Sequence, residues 1–180
     1  MKNDFMPITD IWAKTFQLCW VTNDFDKAKD LLKEKFDIPK FMVMRDLVPI
    51  DQVFEGQTTE DCKFHAAWAN GGNIDLEIIQ PIAGPLLEFY GEKLSRDKFD
   101  LLFHHVAVRY DDDLEGYNNA IAALESKGFK VRMSAGIKDL TKYCYVDMRE
   151  MLGHYLEIIY FNKAGVEVMA TLVTNDFDGE

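Results

Sequence analysis

Two carboxylates set in the middle of apolar strands constrain this chain more than any other feature. The segments "NIDLEIIQP" and "GHYLEIIYF" place Glu77 and Glu157 at the same point of one motif, each followed by two isoleucines. An ionised carboxylate buried without a partner is prohibitively costly, so each must be neutral, paired with a cation or bound to a metal. The same choice made twice, at matching places, is the mark of an internal duplication.

The duplication extends upstream of both glutamates. "TFQLCWVTNDFDKAKDLLKEKF" reads as a strand over residues 15–22, an Asn23/Asp24 cap, and a helix with Phe25, Ala28, Leu31, Leu32 and Phe36 on one face. "LLFHHVAVRYDDDLEGYNNAIAALESKGF" has the same grammar. Strand alternation puts Phe103, His105, Ala107 and Arg109 on one face, and His104 on the other in a structural role. Asp112 is the expected N-cap with Glu115 three residues on, Leu114, Tyr117, Ile121 and Leu124 form the helical stripe, and Gly128 stops it. Gln17 occupies the place of His105.

Residues 40–46 read as a second strand, residues 47–61 as a polar loop, and residues 62–81 as two strands joined across Asn70, Gly71, Gly72 and Asn73, a hairpin signal. The second half repeats the order through "FKVRMSA", "TKYCYVDM" and "HYLEIIYF". The expected fold class is α+β: two βαβββ modules, residues 15–82 and 102–161, forming a cupped mixed sheet around a central cavity. An N-terminal arm (1–14), a linker with a short helix (83–101) and a C-terminal extension with an acidic tail (162–180) complete the chain. Periodicity allows either a strand or a helix over residues 166–173, and the tail is expected to be solvated.

Composition removes several functional classes. With a net charge of −11 the chain has no basic stripe to release counterions, which excludes nucleic acid as a partner. No apolar run is long enough for a membrane span, and the first residues lack a secretory signal, so a cytoplasmic location is expected. The three cysteines, Cys19, Cys62 and Cys144, follow no metal-site spacing and read as free core thiols.

If the modules are related by a pseudo-twofold axis, Gln17, Glu77, His105 and Glu157 converge on one cavity. Three oxygen donors and one imidazole suit one divalent ion, Zn²⁺, Ni²⁺, Co²⁺, Mn²⁺ or Fe²⁺. The competing reading leaves the glutamates facing water and His105 in the core; the repetition of the pattern favours the metal. Trp68, Phe103, Tyr145, Tyr155 and Ile159 are expected to line an apolar substrate pocket, with His65 beside Glu77.

Taken in order, "FQLCWVTNDFDKA", "NIDLEIIQP", "FHHVAVRYDDDLE" and "GHYLEIIYF" resemble the vicinal oxygen chelate superfamily of glyoxalases, bleomycin-resistance proteins and extradiol dioxygenases, over residues 15–161. The resemblance implies a metal held by Gln17, Glu77, His105 and Glu157, a set similar to that of glyoxalase I. The residues that would grip glutathione are absent, their places being taken by Val21, Leu101 and Pro81. The linker is more like that of methylmalonyl-CoA epimerases, where a second, non-ligand acid acts; Asp46 and Glu60 are the candidates here. Extradiol chemistry needs a second histidine, which Gln17 removes.

The function expected from this set is a metal-dependent isomerase, epimerase or lyase working through a metal-stabilised enolate on a hydrophobic or acyl-thioester-like small molecule. Glu157 is the first candidate for the base and Glu77 the second. The alternatives are a binding protein sequestering a hydrophobic ligand and a lactoylglutathione lyase. A homodimer is expected, with the apolar stretches in residues 1–13 and 166–173 against the partner.

Overall fold

Strand alternation and side-chain caps set the elements of the computed structural model, which describes residues 6–180; the start of the N-terminal arm, residues 1–5, lies outside the described residues. A short helix α1 (Ile8–Trp12) leads into strand β1 (Thr15–Thr22), and Asp24 caps α2 (Phe25–Phe36) by accepting from the Lys27 N–H. Strands β2 (Met42–Leu47), β3 (Ile50–Phe54), β4 (Gln57–Thr58), β5 (Lys63–Asn70) and β6 (Asp75–Ala83) follow, then α3 (Leu86–Phe89) in the linker. The second module is β7 (Leu101–Asp111), α4 (Leu114–Glu125), β8 (Val131–Ile137), β9 (Thr141–Asp147), a single turn α5 (Arg149–Leu152) and β10 (Tyr155–Phe161). Helix α6 (Lys163–Thr174) ends the chain's regular structure. Among the described residues no helix is long and apolar enough to cross a membrane.

All ten strands join one sheet in the order β2-β5-β6-β1-β7-β10-β9-β8-β3-β4. Reading outward from the β1·β7 seam gives β1-β6-β5-β2 on one side and β7-β10-β9-β8 on the other, the duplication made visible in strand order. Strand register makes it visible residue by residue. Gln17 pairs with Asp75 and Cys19 with Glu77 in one parallel pair, while His105 pairs with Tyr155 and Ala107 with Glu157 in the other. Gln17 is therefore the counterpart of His105, and Glu77 of Glu157.

Residues 47–61 are not a loop. They form the β3–β4 hairpin, which pairs with β8 at the far edge of the other module. Only Val48 and Pro49 separate β2 from β3, so the two ends of the sheet are brought side by side and the sheet is curled into a half-barrel. Pairing to a free edge strand satisfies backbone groups that a polar loop would leave to water.

Helices cover the outside of this curl. Phe25, Ala28 and Leu32 of α2 pack on Ala67, Ala69 and Ile78. Tyr117, Ala120, Ala123 and Leu124 of α4 pack on Val108, Tyr110, Leu156 and Ile158, together with Ile11 of α1. The N-cap of α4 is Asp113, which accepts from the Gly116 N–H at 2.8 Å, one residue later than the periodicity predicts. Strand β7 runs to Asp111, and Asp112 takes a left-handed conformation (φ 51°) that turns the chain into the cap.

The concave face is closed at one side by α6. Its Met169 and Leu172 are buried in the main core with Phe161 and Tyr143. Gly165 lets the first turn seat against the sheet: a Cβ there would stand 2.5 Å from the Leu140 carbonyl oxygen. Within the two stretches expected to meet a partner, Ile11 at one end and Met169 and Leu172 at the other are buried within the chain itself, whereas Val173 is exposed. The acidic tail is docked at its end while its acidic residues stay exposed to solvent, as expected. Glu180 and Phe41 exchange two backbone hydrogen bonds, Phe177 packs on the core under Lys40, and the Glu180 carboxylate meets the buried Lys29 and Arg45.

Candidate metal centre

The four side chains singled out by the duplication meet inside the curl. Each is nearly inaccessible: Gln17 2%, Glu77 6%, His105 0% and Glu157 5% exposed. His105 Nε2 lies 3.4 Å from Glu77 Oε2 and 3.3 Å from Glu157 Oε2, one carboxylate from each module. Neither approach has hydrogen-bond geometry. Glu77 Oε2, His105 Nε2 and Gln17 Nε2 are all buried without a partner. Orphaned buried polar atoms are individually expensive, and here three point into one place.

The electrostatics lead to the same conclusion. Burial raises the Glu77 pKa, with the charge of Glu157 adding to it and His105 opposing. At His105, burial works against the charged form, but Glu157 and then Glu77 more than offset it and lift the pKa to about 9. Two carboxylates facing one imidazole leave a net negative charge in an apolar interior. A divalent cation neutralises both carboxylates and leaves the imidazole neutral, so the residues present fit a metal ion.

His105 Nε2 is aimed at the carboxylates because its other nitrogen is engaged. His104 Nδ1 and His105 Nδ1 are 2.9 Å apart. Burial, and then the charge of His105, pushes the His104 pKa well below the ordinary histidine value, which makes His104 the neutral acceptor. With His105 Nδ1–H donating, the neutral imidazole that a metal ion would require turns its Nε2 lone pair toward the site. His104 is therefore not on the opposite face, as strand alternation predicts. The β1·β7 register shifts between Cys19 and Trp20, so His104 is an extra, bulged residue, and both histidines turn inward.

The same bulge corrects Phe103. It pairs with Trp20, is 43% exposed, and packs edge-on against Trp20 and His154 on the convex side, outside the cavity. His65 is also on the convex side: its Nδ1 accepts from the Asp46 N–H and its ring meets Phe25 of α2. Trp68, Tyr145 and Ile159 line the cavity beside Gln17, Glu77 and Glu157. Tyr155 faces inward but lies at the other end, in an aromatic cluster with Phe89 and His104 that plugs the curl. Asp46 and Glu60 are exposed and do not line the cavity.

Three groups escaped the sequence reading. Tyr143 lines the cavity with a buried, unpaired hydroxyl, and Gln52 of the β3 hairpin buries an amide with neither atom paired. Cys19, read as core, has its Sγ within 4.8 Å of a Glu77 oxygen and a His105 ring nitrogen. Its position two residues after Gln17, on the same strand face, was the available signal. The cavity itself is small, about 60 Å³, and Val168 and Met169 of α6 form one wall. A buried water needs roughly 10–15 Å³ on the same measure, so this space admits an ion and a few waters but no sizeable acyl group while α6 is in place.

A sequence profile described as the glyoxalase/bleomycin resistance protein/dioxygenase superfamily matches residues 16–146. The chain belongs to that superfamily. The match ends before β10, so Glu157 enters the site on the structure and the repeat alone. No curated protein matches the chain by sequence. Among solved structures, methylmalonyl-CoA epimerase from Mycobacterium tuberculosis superposes with a TM-score of 0.51 at 10% identity, over 82% of this chain and 87% of that one. The Streptomyces coelicolor enzyme, in complex with 2-nitronate-propionyl-CoA, gives 0.50 at 16% identity, over 82% and 96%. A hypothetical protein from Bacillus halodurans gives 0.51 at 11% identity, over 83% and 94%. At such identities the likeness is one of fold, and it agrees with two βαβββ modules around a cup.

Proposed function

We propose that this member of the superfamily is a metal-dependent epimerase or isomerase that moves a proton at a carbon next to a carbonyl. The observation that carries the reading is the convergence of Glu77, His105 and Glu157 in an apolar cavity, with Glu77 Oε2 and His105 Nε2 unpaired. A binding pocket for a hydrophobic ligand has no use for two buried carboxylates. When bound at Gln17, Glu77, His105 and Glu157, a divalent ion would supply Lewis-acid stabilisation of the charge that develops on the carbonyl oxygen.

The chain's own residues supply the proton movements. Glu157 removes the proton from its place in the cavity wall beside Tyr145 and Ile159. Glu77 stands at the symmetry-related position, so the two carboxylates flank the site from its two halves. A proton taken by one and returned by the other to the opposite face inverts the carbon; returned to a neighbouring carbon, it gives an isomer. The absence of basic residues at positions 21 and 101 and of an asparagine at position 81 disfavours a glutathione adduct.

An acyl-CoA thioester is the substrate class we favour, and the charge distribution supports it. In a chain of net charge −11, Lys93, Lys127, Lys130, Arg132 and Arg149 gather around one open cleft with Asp147 and Glu150, the two arginines being paired with Asp147, Glu55 and Glu92 while the three lysines have no ion pair among the described residues. Arg149 stacks on Tyr155 at 4.6 Å, and with Lys93 it borders the aromatic plug beside His104. Phosphates held there would direct an acyl chain toward the plug and the metal centre behind it.

The test is a panel of branched acyl-CoA thioesters offered to metal-loaded protein in deuterated water. Incorporation of deuterium at the carbon next to the thioester, lost in Glu157→Gln, is the expected result. Incorporation that survives in Glu157→Gln moves the base to Glu77. Tight binding of an apolar compound with no exchange in any thioester would replace this reading with sequestration.

A further inference from the structure

Pseudo-twofold symmetry pairs Gln17 with His105 and Glu77 with Glu157, and it pairs Cys19 with Ala107. At the last position the second module has a methyl group and the first a thiol. Cys19 stands in the cross-strand row that contains Glu77 and His105, level with both, whereas Gln17 stands one row along, level with Asp75 and Ala107. The thiol is fully buried, and its Sγ, a Glu77 oxygen and a His105 ring nitrogen lie within 4.8 Å of one another. Glu77 Oε2 and His105 Nε2 have no hydrogen-bond partner, and the thiol's acceptor is only the adjacent Trp20 carbonyl at 3.6 Å. Donor atoms around a tetrahedral ion stand roughly 3.3–3.8 Å apart, so side-chain shifts of about 1 Å bring these three donors to that spacing, and Glu157 Oε2 already lies 3.3 Å from His105 Nε2.

We propose that Cys19 is a ligand of the metal, joining Glu77, His105 and Glu157 and making this a thiolate site. The proposal rests on the metal reading above. On binding, the S–H bond breaks, a sulfur–metal bond forms and the proton leaves to solvent. A thiolate donor favours zinc, cobalt and ferrous iron over magnesium and manganese.

The experiment is cobalt substitution of the full chain, read by absorption. Wild-type protein is expected to show visible d–d bands together with an intense near-ultraviolet thiolate-to-cobalt band. That band should vanish in Cys19→Ala and persist in Cys62→Ala and Cys144→Ala, whose thiols lie elsewhere in the core. Zinc affinity should fall roughly tenfold or more in Cys19→Ala while manganese affinity changes little. Wild-type d–d bands without the near-ultraviolet band would overturn the cysteine ligand and leave the metal centre standing. No bound cobalt at all would overturn both. The wild-type spectrum decides even if Cys19→Ala fails to fold.

Discussion

Asp75→Asn should stabilise the protein at neutral pH, and by an amount that depends on pH. Asp75 opens β6 in the same row as Gln17 and is only 7% exposed. Burial raises its pKa from 3.8 to about 6, and the charge of Arg109 only partly opposes this. Between those values the folded chain holds a proton that the unfolded chain has lost. Stability therefore falls as pH rises from about 4 to 6, and above 6 the ionised side chain costs up to about 3 kcal/mol.

The amide is never ionised, so the variant should lack that slope. Its advantage at pH 7 should approach about 3 kcal/mol, less the cost of burying an amide, and should vanish near pH 4. In a domain of this size that corresponds to a rise in Tm of roughly 6–12 °C at neutral pH. Urea denaturation of both proteins at half-unit steps from pH 4 to 7.5 gives the difference directly. A stability difference that is constant across the range would refute the argument, because only a titrating carboxyl in the folded state produces the slope.

Other perturbations probe the site and its cover. His105→Ala removes the one nitrogen ligand and should abolish stoichiometric metal binding in a competition assay with a chromophoric chelator, whereas Glu157→Gln, which keeps an oxygen donor, should weaken it less. His104→Phe fills the same aromatic space but cannot accept from His105 Nδ1; metal affinity should drop roughly 10–100-fold with the fold intact by circular dichroism, and His104→Asn should recover part of it. Leu172, fully buried on the inner face of α6, should cost about 2–5 kcal/mol when cut to alanine, and hydrogen exchange should show the opening concentrated in α6. Gly165→Val drives a side chain into the Leu140 carbonyl and should lift the first turn of α6; unchanged exchange at residues 163–169 would show that the seat tolerates a Cβ.

Much of this architecture was legible because it is written locally. Alternation over β1 and β7, the caps at Asp24 and after Asp111, and the turn at residues 70–73 each depend on residues a few positions apart. The duplication then supplied what locality cannot, since two unpaired buried glutamates at matching places imply a shared centre. The errors cluster where pairing decides. A bulge is a property of two strands and not of one, so alternation within β7 put Phe103 inside and His104 outside, and the register with β1 reversed both. His65 went to the convex side because β5 presents that face to α2, a contact set by the packing of another element.

From its own pattern the sequence determined the two modules, which four polar side chains turn into the space between them and the apolar character of that space, because periodicity and the cost of burying charge act on each segment separately. The tertiary structure alone decided that residues 47–61 cross to the second module, that α6 closes one side of the cup, and that Cys19 shares a row with Glu77 and His105. Those outcomes rest on hydrogen-bond partners and packing surfaces contributed by residues far apart in the chain, whose energies exist only once the sheet has curled and its edges have met.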